Sequence, residues 1–131
     1  MIKKVFKDRE KVKSMLKLVE EREKFLKLDI EFTTIKVESY YEVIKELSIA
    51  LLLLNELKAV GENAHKETID YLKNFKEFSN SDISVLQDLR GKRNKSMYEG
   101  KQIDPSYLKN KEDEIKKIID KLKGIVIKMS A

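Results

Sequence analysis

SYYEVIKELSIALLLL, Ser39 to Leu54, is the stretch from which the fold is read. Ile44, Leu47, Leu51 and Leu54, with Ala59 beyond them, recur at three- and four-residue steps and so share one side of a helix. The run IALLLL then makes the helix apolar all round. Such a helix must be covered on several sides by other helices or by a partner subunit. Its start is expected between Thr33 and Ser39, with Ser39-x-x-Glu42 as a capping box, and Gly61 is its expected stop.

Working outward, Val12, Met15, Leu16, Val19 and Leu26 mark an amphipathic helix from about Asp8 to Leu28. Asp29 to Val37, DIEFTTIKV, is β-branched and partly alternating; with no second convincing strand, it reads as an extended connector. After Gly61 a third helix is expected over roughly Ala64 to Phe75, with Ile69, Leu72 and Phe75 as its apolar line. FSNSD supplies a turn, and Ser81 or Asp82 the cap of a fourth helix whose stripe is Ile83, Leu86, Leu89 and Met97. Gly100 is its stop. Asp104-Pro105 then starts a fifth helix running to about Met129, which buries Ile115, Ile118, Ile119, Leu122, Ile125, Val126 and Met129. The expectation is one all-α domain over residues 1–131, an up-down bundle of four to five helices with mainly antiparallel neighbours.

Composition agrees. Apolar residues make up 41% and charged residues 39%, while one proline and four glycines leave little material for the turns of a β-sandwich. With no cysteine and a single histidine, disulfides, thiolate nucleophiles and a multi-histidine metal site within one chain are excluded. No cofactor or metal is expected, and no Glu-x-x-His pair of a carboxylate-bundle metalloenzyme exists. The start MIKKVFKDRE lacks the apolar core of a signal peptide, and Ile49–Leu54 is too short to span a bilayer. The expectation is a cytoplasmic protein with no membrane partner. Abundant Lys and Glu with only two glutamines fit a thermophile's composition.

The net charge of +5 is unevenly spread: residues 1–28 carry +5, 29–78 carry −4 and 79–131 carry +4. Within 90–101 there are five basic residues and one acid, Glu99, a cluster that suits a phosphate-bearing partner. On a helical wheel Leu86, Leu89, Arg93 and Met97 share one side, and Arg90, Asn94 and Tyr98 the adjacent one. Arg93 thus stands at the edge of an apolar stripe, where a guanidinium needs a carboxylate, such as Asp88 or Glu46, or a bound anion. Gly91, mid-helix, costs about 1 kcal/mol relative to alanine, which suggests close approach of another backbone or a ligand. Tyr40-Tyr41 is expected at the opposite end of the bundle, as core or dimer contacts.

LRGKRNKSMYEG, Leu89 to Gly100, together with the upstream GENAHKETIDYL and the helical tail after Asp104-Pro105, resembles the HEPN domains. The resemblance covers most of the chain in layout and about a dozen residues in detail. It implies an all-helical protein that dimerises with its motifs facing one another. It further implies RNA or nucleotide binding, as a metal-independent endoribonuclease of toxin type or as a relative that only binds. Some members are encoded beside minimal nucleotidyltransferases, which implies such a protein as an antitoxin partner. The family's motif is an arginine, a polar residue and, four to six residues on, a histidine. Arg93 and Asn94 match the first two positions; Tyr98, Glu99 and Gly100 stand at the third, and from Arg90 it is Lys95, Ser96 and Met97. None is histidine.

Cleavage through the RNA 2′-hydroxyl needs a group that exchanges protons near neutral pH, and an unperturbed tyrosine with a pKa of about 10 does not. The candidate catalytic residues are therefore Arg93 for phosphorane charge, Asn94 to orient a phosphate, Tyr98 to stack or donate, and His65, which an up-down bundle brings to the same end as Arg93. Arg90, Lys92, Arg93 and Lys95 are the candidate phosphate ligands. The competing reading is a non-catalytic interaction module that docks another protein through its apolar helix and mixed-charge faces.

Overall fold

A computed structural model describes residues 1–29 and 31–131. Its centre is α2 (Thr33–Leu54), in which twelve side chains are buried, Tyr41, Ile44, Leu47 and Leu51 at 0–1% exposure. Each buried leucine or isoleucine contributes about 2 kcal/mol. The apolar-all-round pattern is satisfied within the chain, because α1 (Arg9–Leu26), α3 (Ala64–Tyr71), α4 (Asn80–Glu99) and α5 (Pro105–Ser130) all pack against α2. The protein is an all-α helical bundle of five helices among the described residues, with a 3₁₀ turn at Leu72–Asn74 and one two-stranded sheet.

Cross-helix bonds set the directions. Arg93 meets Glu42 and Ser96 meets Glu38, so α2 and α4 run antiparallel. Lys121 meets Asp82 and Lys92 lies over the Tyr107 ring, so α4 and α5 are antiparallel too. Lys123 meets Glu23 and Arg9 reaches the Ser130 carbonyl, giving the same relation for α1 and α5. No described helix is long and apolar enough to cross a membrane.

Several helix ends follow local chemistry, those at Asp104-Pro105 and Gly100 as expected. Asp8 caps α1 by accepting from the Lys11 N–H, and Asp104 caps α5 with Pro105 in its first turn. Gly100 closes α4 in the left-handed region at φ 66°.

Other ends differ. Ser39 lies inside α2, where its hydroxyl donates to the Ile35 carbonyl; the helix starts at Thr33 with no side-chain cap. The expected connector Asp29–Val37 is therefore helical from Thr33, while Ile30 lies outside the described residues. Nor does α2 reach Gly61. Asn55 caps it by donating to the Leu51 carbonyl, Glu56 turns the chain at φ 60°, and Ala59 lies in β2 (Leu57–Ala59), antiparallel to β1 (Ile2–Lys4). The cap of α4 is Ser79, in a reciprocal pair with Asp82, rather than Ser81 or Asp82. Met97 and Met129 leave their expected buried faces, at 48% and 37% exposure.

Candidate functional site

Arg93 is fixed by what α2 presents to it. It is 8% exposed, and its Nη2 donates to Glu42 Oε1 at 3.1 Å. The partner is thus Glu42, rather than Asp88 or Glu46, because α2 and α4 meet at this register. The guanidinium carbon lies 5.0 Å from the centre of the Tyr41 ring, a cation–π distance. Tyr41 is therefore level with Arg93, not at the opposite end of the bundle. Nη1 makes a long 3.4 Å bond to Asn94 Oδ1, and Nε is buried without a partner among the described residues. Lys45 Nζ holds the other oxygen of Glu42 at 2.7 Å.

Around this pair the titration properties divide. Burial raises the Glu42 carboxyl, but the Lys45 ammonium and Arg93 guanidinium outweigh it, so it stays below the usual carboxylate range. Burial pushes the Tyr41 phenol up to about 12, against the opposing pull of Arg93 and Arg90. His65, exposed in the first turn of α3, lies within electrostatic reach of the same cluster. Burial, and then the charges of Lys45 and Arg93, hold its imidazole below its ordinary value; Glu42 opposes and Arg90 adds. His65, the chain's one histidine, thus lies within electrostatic reach of Arg93 with its imidazole held toward the neutral form.

Arg90 faces the α3 side. Its Nε donates to Gln87 Oε1 at 2.8 Å, while Gln87 Nε2 donates to Asp70 Oδ1 at 2.8 Å and the Lys66 carbonyl at 3.0 Å. This chain links α4 to the turn that carries His65.

Lys92 and Lys95 look elsewhere. With Lys101 they line a pocket of about 380 Å³ at the α4–α5 junction, beside Gln102, Ser106 and Tyr107. Tyr98 is 74% exposed beyond the packed part of α4. The expected cationic stretch is thus two surfaces: Arg90, Arg93 and Asn94 toward α2 and α3, and Lys92 and Lys95 toward α5. A Cβ added at Gly91 would meet nothing within 4 Å, so no neighbour among the described residues uses its missing side chain.

A groove between α1, α2 and α4, about 500 Å³, adjoins the site and is lined by Arg22, Glu38, Ser39 and Glu42. Leu18, Phe25, Ile35 and Met97 stand around it at 40%, 42%, 46% and 48% exposure.

Sequence reasoning missed Glu42, Tyr41 and Lys45. The available signal was Glu38 and Glu42, four residues apart on one face of α2, with Lys45 one turn further on. No protein-family model matches the chain, and no curated protein or solved structure does so either.

Proposed function

We propose that the chain is a HEPN-like homodimer that binds RNA or nucleotide phosphate on the cationic surfaces of α4. What carries the reading is the arrangement at Arg93: a guanidinium held rigid by Glu42 and Tyr41, with Lys45 on the other Glu42 oxygen and Arg90 and His65 within electrostatic reach. Arg93, Arg90 and Lys45 are set against Glu42 and, through Gln87, Asp70, while Lys92 and Lys95, with Lys101 beyond the helix end, add a second cationic surface toward α5. In the ribonuclease form of the proposal His65 takes the 2′-hydroxyl proton as that oxygen bonds to phosphorus, Arg93 stabilises the phosphorane, and the P–O5′ bond breaks to leave a 2′,3′-cyclic phosphate and a 5′-oxygen that takes its proton from water. Tyr41 and Glu42 titrate too high and too low for that task.

The test is incubation with structured RNA, with and without chelator, for wild type, Arg93→Ala, His65→Asn and Lys92→Gln/Lys95→Gln. Binding should weaken with salt at a slope near −0.7 to −0.9 per phosphate contacted, and the lysine pair should flatten it by about two contacts' worth. Cleavage should survive chelator and vanish in His65→Asn and Arg93→Ala. Binding without cleavage in wild type selects the binding-only relative. Absence of salt-dependent binding overturns the proposal.

The apolar rim Leu18, Phe25, Ile35 and Met97 favours a protein contact at the adjoining groove, which we assign to the second copy. Met97→Asp should give a monomer in sedimentation without loss of helicity. If wild type is itself monomeric, the groove instead supports the interaction-module reading, with a nucleotidyltransferase-type antitoxin as the partner to try.

A further inference from the structure

We propose that the open edge of β1 takes an extended acidic segment of another protein as a third strand of the sheet. The proposal goes beyond nucleic-acid binding and rests on different residues.

The ladder fixes which backbone groups are free. β1 pairs with β2 as Ile2–Ala59, Lys3–Lys58 and Lys4–Leu57. The Val60 N–H donates to the Met1 carbonyl at 2.8 Å, and the Val5 N–H to the Glu56 carbonyl at 2.9 Å. In an antiparallel pair the bonded positions alternate, so residues 1, 3 and 5 aim their backbone groups at β2. Ile2 and Lys4, between them, aim theirs the other way, and these groups have no backbone partner among the described residues. β2 is the strand seated on α2 and α3, which leaves β1 outermost. Such a row of free donors and acceptors is completed by strand addition.

The side chains select what can be added. Lys3 shares one face of the sheet with Lys58, and Lys4 points to the other face. All three are exposed, and none pairs with a carboxylate among the described residues. The neighbouring Asp8 is engaged in capping α1. A second copy, antiparallel and in register over Ile2–Lys4, would set Lys3 against Lys3, and like charges directly opposite disfavour pairing. A strand with two adjacent acids has the complementary charge. One carboxylate continues the Lys58–Lys3 row and the other stands beside Lys4 on the opposite face. The lysines thus guard the edge against its own kind and against neutral strands, and admit an acidic one. Ile2 is half-buried and Phe6 is 95% exposed, so apolar residues belong at both ends of the added segment.

The test titrates the capped peptide Phe-Thr-Glu-Glu-Val into the ¹⁵N-labelled full chain. Run antiparallel, its phenylalanine meets Phe6, its glutamates meet Lys4 and Lys3, and its valine meets Ile2. The expected result is saturable shifts confined to residues 2–6 and 57–59, with the Ile2 and Lys4 amides newly protected from exchange. N-methylation of the glutamate opposite Lys4 removes a ladder donor and leaves the charge, and should weaken binding about tenfold. Lys3→Glu/Lys4→Glu, on exposed side chains and with Glu then facing Lys58, should reject this peptide and accept Phe-Thr-Lys-Lys-Val. Equal binding of the N-methyl peptide, an unchanged preference in the charge-reversed variant, or shifts that fail to saturate or map elsewhere would each overturn the proposal. RNA that shifts residues 2–6 where the peptide does not would assign the edge to nucleic acid and overturn it as well.

Discussion

Glu42→Gln is expected to weaken the fold and strengthen nucleic-acid binding at once. The substitution keeps the shape and one acceptor oxygen but removes the counter-charge of Arg93, 3.1 Å away with its side chain 10% exposed. Breaking a buried pair costs 3–5 kcal/mol, and a surface pair 0.2–1. Glu42 is 21% exposed and also serves Lys45, so the loss falls between, at about 2 kcal/mol. For a chain of 131 residues that corresponds to a fall in Tm of about 6–8 °C. A carboxylate removed from about 7 Å of a phosphate in water-like dielectric returns ~0.6 kcal/mol, about threefold in affinity. The assays are thermal and urea unfolding in a double-mutant cycle with Arg93→Met, and fluorescence anisotropy with a labelled RNA. The cycle should give a coupling of at least ~1 kcal/mol. Stability unchanged within ~0.5 kcal/mol, or absence of coupling, would refute the structural role assigned to the pair. Weaker RNA binding would refute the idea that Glu42 competes with phosphate for the guanidinium.

Asp82→Ala removes the α4 capping box and the 2.7 Å contact to Lys121, and should cost about 1–2 kcal/mol near neutral pH. Burial raises its carboxyl, but Lys121 and the Ser79 N–H outweigh that and lower it. The stabilisation is thus complete above the unfolded-state value and is lost as pH falls through the lower folded one. The Tm gap between wild type and variant should close below about pH 4, and a gap constant to pH 2 would contradict this. Gly91→Ala, with open space around the added Cβ, should stabilise by about 1 kcal/mol in urea unfolding. If it also weakens RNA binding, the open face of Gly91 is where the ligand's backbone approaches.

Wherever one helix carries its own signal, the sequence was readable. Val12, Met15 and Val19, the cap at Asp8, Asp104-Pro105 and Gly100 each depend on neighbours a few residues away. The strands were not readable, because IKK and LKA are three residues each, too short to show alternation, and pair across more than fifty positions. The α4 cap was misread within FSNSD because Ser79, Ser81 and Asp82 all suit a cap, and the box uses Asp82 where Glu or Gln is usual. At the site, the wheel placed Arg93 on the edge of the buried stripe, and its burial agrees. Its partner, fifty-one residues away, is set by how α2 and α4 cross, and no local pattern encodes that. Met97 was assigned to the core because it continues the stripe of Leu86 and Leu89; the structure instead leaves it at the groove beside Phe25 and Ile35.

The central place of α2 has a consequence for how the molecule opens. Because α1, α4 and α5 each lean on the same helix, detaching any one of them uncovers leucines that nothing else can shelter. Amide exchange in the Val43–Leu53 backbone therefore requires the whole bundle to come apart, and those amides report the global unfolding free energy. By contrast, α3, eight residues long and followed by a single 3₁₀ turn, buries few side chains of its own and can open by itself. His65 rides on that helix. The imidazole is thus carried by the least protected helix of the bundle, and its place relative to Arg93 follows the opening of α3.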